Sequence, residues 1–175
     1  MAEKQTKKRS TQTARNQPRL YTLDVFIISG PLAESFVKKN KVISRTIQIR
    51  GDQTLQTLHQ AIFNAFGRED DHMYEFQVGG KGPMDRKARR YTLHASDDEG
   101  KSEGGPAGDV HQTTIESLGL KVNDAFGYWF DFGDDWWHQI NVVALEETIG
   151  RGKFPKLIKR VGQSPPQYVD WDKEE

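Results

Sequence analysis

A stretch dense in aromatic residues, FGYWFDFGDDWWHQINVVAL at 126–145, constrains the fold of this chain more than any other. Aromatic and β-branched residues favour strands, and a glycine followed by two aspartates is typical of a turn. The stretch therefore predicts a β-hairpin with strands over 126–130 and 136–145.

The register of this hairpin depends on its turn. A two-residue turn would mix aromatic and polar side chains on both faces. A three-residue loop at 133–135 would instead pair Phe132 with Trp136, and Phe130 with His138. A one-residue shift moves every side chain of a strand to the opposite face of the sheet. We favour the three-residue loop, because only its register places the aromatic side chains on one face and the polar side chains on the other.

The favoured register assigns each side chain to a face and requires a left-handed backbone at Asp135, which aspartate tolerates. The core-facing set is Phe126, Tyr128, Phe130, Phe132, Trp136, His138, Ile140 and Val142, and the outward set is Asp131, Trp137, Gln139 and Asn141.

His138 is then either a hydrogen-bonded core histidine, which we favour, or a metal ligand or general base. The clustered aspartates fit turn chemistry better than a cation site.

Elsewhere the patterns predict strands over 20–29, 41–50 and 73–80, a short strand over 91–94, and one main amphipathic helix over about 54–66. Apolar residues recur through the helical stretch at the spacing of a single helix face. Strands segregated from one helix predict an α+β domain with an antiparallel or mixed sheet. A β-grasp-like arrangement is one option for the opening elements.

The charge pattern divides the chain. Residues 1–19 carry six basic residues and one acidic, whereas residues 20–145 carry thirteen basic and eighteen acidic, a net of −5. We predict a disordered basic tail at 1–19, a single domain over 20–168 with a mobile acidic loop at 95–110, and a C-terminal tail at 169–175. The chain has no cysteine and no apolar run of membrane-spanning length, so we predict a cytoplasmic protein without a membrane partner.

Four segments resemble the plasmid pRi ORF-3-like family, which is found in bacteria and archaea. They are IQIRGDQTLQTLHQAI at 47–62, GREDDHMYEFQVGG at 67–80, TIESLGLKVNDAFGYWFDFGDDWWHQI at 114–140 and FPKLIKRVGQSPPQY at 154–168. The most specific is the DFGDDW-x-H motif within the third. The chain departs from the family pattern at Tyr74 and Phe130, and in lacking the C-terminal cysteines of many relatives, which disfavours a metal site built on those cysteines.

The resemblance implies an α+β domain and a set of motif residues whose roles it does not specify. Carried over by position, they are His59, His72, Asp131, Gly133, Asp134, Asp135, Trp136 and His138. These residues would form either a metal centre or, as we favour, a polar network that locks the helix to the hairpin. Some family members are labelled transposon resolvases, but the surroundings of Ser29 lack the arginines that would hold a scissile phosphate.

We therefore predict a non-catalytic binding or adaptor module, with no cofactor and no assigned metal, whose partner is a protein or a nucleic acid. Nucleic acid would contact basic residues in the tail and in the segment DRKARR. The candidates are Lys7, Lys8, Arg9, Arg86, Lys87, Arg89 and Arg90. A protein partner would instead dock on Trp137 and the SPPQY tail. The alternative is a metal-dependent, hydrolytic enzyme that uses the aspartates and histidines of the DFGDDW-x-H motif.

Overall fold

The computed structural model describes residues 17–94 and 105–173. The predicted disordered tail at 1–19 therefore lies outside the described residues up to residue 16, and the predicted mobile loop at 95–110 does so up to residue 104. Lys7, Lys8 and Arg9 also lie outside the described residues. The described end of the predicted loop contains a short strand, Gly108–Asp109.

Eight strands and two α-helices form the described part of the chain. The strands are β1 (Leu20–Ser29), β2 (Ser44–Arg50), β3 (Tyr74–Val78), β4 (Arg89–Thr92), β5 (Gly108–Asp109), β6 (Ala125–Phe130), β7 (Trp136–Glu146) and β8 (Lys156–Val161). The helices are α1 (Glu34–Lys39) and α2 (Leu55–Ala65). Short 3₁₀ turns follow at Glu116–Leu118 and Trp171–Lys173.

All eight strands belong to one mixed sheet of order β5-β4-β3-β6-β7-β1-β2-β8. Every neighbouring pair is antiparallel except β4 and β5, which are parallel. The α+β prediction is confirmed. The observed order inserts the late hairpin β6–β7 between β3 and the opening pair β1–β2, which extends the sheet well beyond the opening elements.

Helix α2 covers one face of this sheet. Its apolar residues Leu55, Leu58 and Ile62 are buried, as the periodicity predicts. The Thr54 side chain accepts a hydrogen bond from the Thr57 N–H and so caps the helix, and Gly67 follows its end with a φ of 65°. The buried core lies between α2 and the sheet face that carries the aromatic residues of β3, β6 and β7.

The hairpin β6–β7 confirms the assignment of faces for its strand residues, whereas the register and the core position of Phe132 were wrong. Phe130 faces Trp136 and Tyr128 faces His138, a shift of two residues from the prediction. The connection is therefore the five-residue segment 131–135, and Phe132 projects from it with 39% of its surface exposed. A two-residue shift preserves which face each strand residue occupies, so the separation of apolar from polar side chains does not distinguish the two registers.

The C-terminal segment is an edge strand followed by a docked tail. Strand β8 was not predicted. Beyond it, the Arg45 guanidinium donates to the carbonyl oxygens of Val161 and Gly162 and to the Ser164 hydroxyl. The Gln167 side chain is buried against the chain that follows α2. Within the described ranges, no helix is both long and apolar enough to cross a membrane.

Candidate functional site

Asp131 ends strand β6 by folding its own loop around its carboxylate. Its backbone is left-handed with a φ of 57°, and its Oδ1 accepts hydrogen bonds from the N–H groups of Gly133 at 3.1 Å and Asp134 at 3.2 Å. The Asp131 carbonyl accepts the Asp135 N–H at 2.8 Å. An aspartate that bonds the backbone two and three residues ahead is a local turn former, which explains why the strand stops at Phe130.

The other end of the loop is fixed to an aromatic stack on the outer face of the sheet. Asp135 has a φ of 54°, as predicted, and its Oδ1 accepts the Trp129 indole N–H at 2.9 Å. The Trp129 ring is stacked on Trp137, with centroids 4.7 Å apart, and contacts Phe132 at 4.1 Å. Two of the three motif aspartates therefore hold the loop to its own strands.

His138 is buried in the core, with 1% of its surface exposed. Its Nδ1 lies 3.2 Å from the Tyr128 carbonyl oxygen, so the protonated Nδ1 donates to that oxygen. Its ring packs against Tyr128 and Phe66. Burial lowers the pKa of His138 to about 3, and the nearby positive charge of Arg68 acts in the same direction. The side chain is therefore a neutral core residue near pH 7.

Trp136 is fully buried and packs beneath an arginine. The Arg68 guanidinium carbon lies 3.8 Å above the Trp136 ring centroid, a cation–π contact. Arg68 is 7% exposed, and neither its Nη atoms nor the Trp136 indole N–H has a hydrogen-bond partner among the described residues. Burial lowers the pKa of Arg68 to about 10, while Tyr128 and Asp131 oppose that shift. Arg68 therefore stays charged near pH 7.

His59 links helix α2 to the hairpin through a chain of hydrogen bonds. Its Nδ1 lies 2.7 Å from the Tyr128 hydroxyl and its Nε2 lies 3.2 Å from Asp71 Oδ1. A neutral ring with its proton on Nε2 satisfies both contacts, because Tyr128 then donates to Nδ1 and Nε2 donates to the carboxylate. Burial lowers the pKa of His59 to about 4, partly offset by Asp71. The ring is also stacked on Tyr74 at 3.7 Å.

His72 lies at the surface, where the hairpin loop meets the C-terminal tail. Its Nε2 is 3.4 Å from Asp131 Oδ2 and 3.0 Å from the Tyr168 hydroxyl. Both contacts use the same ring nitrogen, so this group is not a relay of the kind that passes a proton through both nitrogens of a histidine. The Phe130 ring lies between this group and His59, at 5.9 Å and 6.1 Å from the two imidazoles.

The predicted site residues thus separate into three environments. His138 and Trp136 lie in the core, and His59 joins the core to Asp71, which remains exposed at the surface. Asp131, Gly133, Asp134 and Asp135 build the hairpin loop, which His72 borders. Among residues 17–94 and 105–173, no three histidine, aspartate or glutamate side chains are grouped so that they could hold a metal ion.

A model of the family described as plasmid pRiA4b ORF-3-like protein matches residues 35–171, which include every one of these side chains. The chain belongs to the plasmid pRiA4b ORF-3-like family. An uncharacterised relative, protein y4hQ of Sinorhizobium fredii, is 29% identical over 147 residues. That alignment covers 78% of this chain and 60% of the relative, so the chain spans less than two thirds of the relative's length.

A solved structure from another organism shares the fold of this family member. It is the protein of unknown function MM3350 from Methanosarcina mazei Go1, with a TM-score of 0.60 and 20% sequence identity. The likeness covers 82% of this chain and 70% of that chain. At this identity the comparison shows the architecture and assigns no chemistry.

The predicted nucleic-acid residues that the structure of this ORF-3-like chain describes lie in the turn between β3 and β4 and at the start of β4. Arg86, Lys87 and Arg89 are exposed. Arg90 is half-buried, and its Nη1 lies 3.6 Å from Glu75 Oε2. The turn is braced by Asp85, whose carboxylate accepts the backbone N–H groups of residues 81 and 87. Three of the four basic side chains in this patch therefore project into solvent.

Several residues that shape the site were not predicted. Arg68, Asp71 and Tyr168 flank the motif in space but carry no chemical signature in sequence. Tyr128 was placed correctly on the core face, yet its hydroxyl contact with His59 depends on how α2 crosses the sheet. The one sequence signal available was the resemblance itself, since Arg68 and Asp71 lie inside the family segment at 67–80.

Proposed function

We propose that this ORF-3-like protein is a non-catalytic binding module, in which the DFGDDW-x-H motif stabilises the fold. The observation that carries the proposal is the use of the motif's polar atoms within the protein. Asp131 Oδ1 binds two loop N–H groups, Asp135 binds the Trp129 indole, and His138 bonds a backbone carbonyl in the core. A catalytic acid or base needs an atom within reach of substrate, and these atoms face protein instead.

The partner that the exposed charges favour is a nucleic acid. Arg86, Lys87 and Arg89 project from the β3–β4 turn without an ion pair to any other described residue, and residues 1–16 add five basic residues. Phosphate backbones bind such clusters by releasing counterions, so affinity falls steeply with salt. The acidic body of the chain confines this binding to the tail and to the patch 85–90.

Binding of a labelled DNA duplex in a salt series tests this assignment. We expect reversal of the patch charges in Arg86→Glu, Lys87→Glu, Arg89→Glu to weaken binding and to lower the slope of log affinity against log salt by about three, roughly one unit for each lost phosphate contact. Deleting residues 1–16, which leaves the ion pair of Arg19 with Glu116 intact, should weaken binding further.

A matched control reverses three exposed lysines elsewhere, in Lys39→Glu, Lys41→Glu, Lys121→Glu. This control changes the net charge by the same amount as the patch variant. Its slope of log affinity against log salt should remain larger than that of the patch variant. Equal losses in the two variants would show a general charge effect and would contradict a specific patch. Unchanged affinity in the truncated chain would remove the tail from the proposal.

The second candidate function is metal-dependent hydrolysis, and one observation favours it. His72 and Asp131 Oδ2 approach within 3.4 Å at the surface, and His72 is partly exposed beside the Tyr168 hydroxyl. An imidazole and a carboxylate are two of the three protein ligands that catalytic zinc sites use. A third ligand would have to come from a rearrangement of the loop or from a partner.

A further inference from the structure

Strand β8 forms an open edge of the sheet. It pairs with β2 on one side and is the last strand in the order, so its other side has no strand neighbour. Within the described ranges, no backbone hydrogen bond from a loop or turn reaches residues 156–160. An edge of this kind presents alternate N–H and C=O groups to solvent, and a further strand can pair with them.

The segment that contains β8 is basic throughout. Between residues 148 and 169 the chain has five basic residues and no acidic one. The basic residues are Arg151, Lys153, Lys156, Lys159 and Arg160. All five are exposed, and none makes an ion pair with another residue in the described part of the chain. Acidic residues on either side of the segment balance its positive charge, so the net charge over residues 146–175 as a whole is zero.

The positive side chains lie on both sides of the β8 backbone. Lys156 and Lys159 pair with Gln48 and Thr46 of β2 and share their face, which is the face opposite α2. Arg160 pairs with Arg45, on the other face. A β-bulge at Ile158, between Leu157 and Lys159, leaves that side chain 46% exposed. A strand that lay along this edge would therefore meet positive charge on each face and one apolar side chain between.

We propose that the free edge of β8 binds an acidic, extended polypeptide segment by strand addition. A peptide backbone offers both donors and acceptors to the alternating groups of the edge. A phosphate backbone offers acceptors alone and would meet the outward carbonyl oxygens unfavourably. The edge of a second copy of this chain is excluded by its own charge, because two β8 strands would bring like charges together.

Lysines and a bulge also protect an edge against unwanted pairing. That protection acts against any strand of neutral or positive charge, and it leaves an acidic strand as the one partner that the charges attract. This surface lies at the opposite end of the strand order from the patch 85–90, so the inference goes beyond the proposed function and does not depend on it.

The test uses the full-length protein and a fluorescent peptide that alternates glutamate with valine, followed by anisotropy. We expect saturable binding and protection of β8 amides from hydrogen exchange. Reversal of Lys156 and Lys159 in the variant Lys156→Glu, Lys159→Glu should weaken binding at least about tenfold, because like charges then face each other across the pair. The control variant Lys81→Glu, Lys121→Glu reverses two exposed lysines outside β8 and outside the patch 85–90, and it should bind the peptide as tightly as the unmodified protein.

Three probes separate strand addition from simple attraction. A peptide alternating glutamate with proline keeps the charge but removes half of the backbone donors and disfavours the strand, so it should bind at least about tenfold more weakly. A lysine–valine peptide should not bind. Equal binding of the glutamate–proline peptide, or binding of oligothymidylate through Lys156 and Lys159 in place of the peptide, would overturn the proposal. Absence of peptide binding would overturn it as well.

Discussion

His59 and His138 show how this fold uses ionisable side chains as neutral packing groups. Each ring is almost fully buried and contacts aromatic neighbours. The Nδ1 atom of His59 bonds the Tyr128 hydroxyl, and the Nδ1 atom of His138 bonds the Tyr128 carbonyl oxygen. Burial makes protonation costly, and the pKa falls to about 4 for His59, where Asp71 offsets part of the shift, and to about 3 for His138, where Arg68 adds to it. This arrangement lowers the stability of the folded protein at acid pH.

We expect the free energy of unfolding to decrease as pH falls from 6.5 towards 4. The unfolded histidines bind protons near the ordinary value of 6.5, whereas the folded ones do so only near the lowered values. The stabilisation is therefore fully present above pH 6.5 and is lost as the unfolded state takes up protons. Each histidine contributes on the order of a few kcal/mol to this loss.

Urea unfolding at a series of pH values measures this dependence. In His138→Phe the slope between pH 6.5 and 4 should become shallower, because a titrating group has been removed from the core. The control variant Phe126→Leu changes a buried core residue that has no titrating group and should keep the original slope. An unchanged slope in His138→Phe would mean that His138 is not held neutral by the fold.

The elements of the fold differ in how far sequence determines them. Helix α2 was predicted almost to the residue because its apolar stripe has the period of a helix. The hairpin register was missed by two residues, because face patterning fixes register only to an even shift, and the bonds from Asp131 to the N–H groups of Gly133 and Asp134 decide the rest. Strand β8 was missed because KLIKRV places basic residues on both faces and so lacks alternation.

In the segment that follows β8, the Gln167 side chain provides the hydrogen bonds to the chain that leaves α2. Gln167 Oε1 accepts the backbone N–H groups of Glu69 at 2.8 Å and Asp70 at 3.1 Å, and its Nε2 donates to the Asp70 carbonyl at 2.7 Å. These bonds hold the tail against the segment that leads from α2 to His72. The tail thereby brings the Tyr168 hydroxyl to His72.

We predict that Gln167→Ala releases the tail while the sheet stays folded. The loss should be about 1–3 kcal/mol, since three partly buried backbone groups lose their partner. Hydrogen exchange should accelerate at the amides of Glu69 and Asp70. The matched variant Gln163→Ala removes an exposed side chain and retains the backbone N–H that bonds Asn40 Oδ1, so it should have little effect. Equal exchange in both variants would show that Gln167 does not hold the tail.

At the scale of the whole molecule, charge and chemistry are segregated. The aromatic core and its histidines lie under α2, and the acidic loop of the motif closes one end of the hairpin. Two clusters of exposed basic side chains lie on the β3–β4 turn and in the segment that contains β8. Composition revealed a basic tail and an acidic body, but the basic edge required knowing that β8 is a strand and that it ends the sheet. Contacts between distant segments, such as Arg68 with Trp136, depend on packing that no local pattern encodes.

We propose that the aspartates and histidines of the motif stabilise the fold and do not bind a catalytic metal. The most direct measurement titrates zinc, manganese and magnesium into chelator-treated protein while following tryptophan emission and the thermal midpoint. Trp129 lies in β6 and reports on the loop through its hydrogen bond to Asp135. We expect no saturable change. A saturable change with a raised midpoint, lost in the variant Asp131→Asn, His72→Gln, would contradict it and would make the motif a metal site.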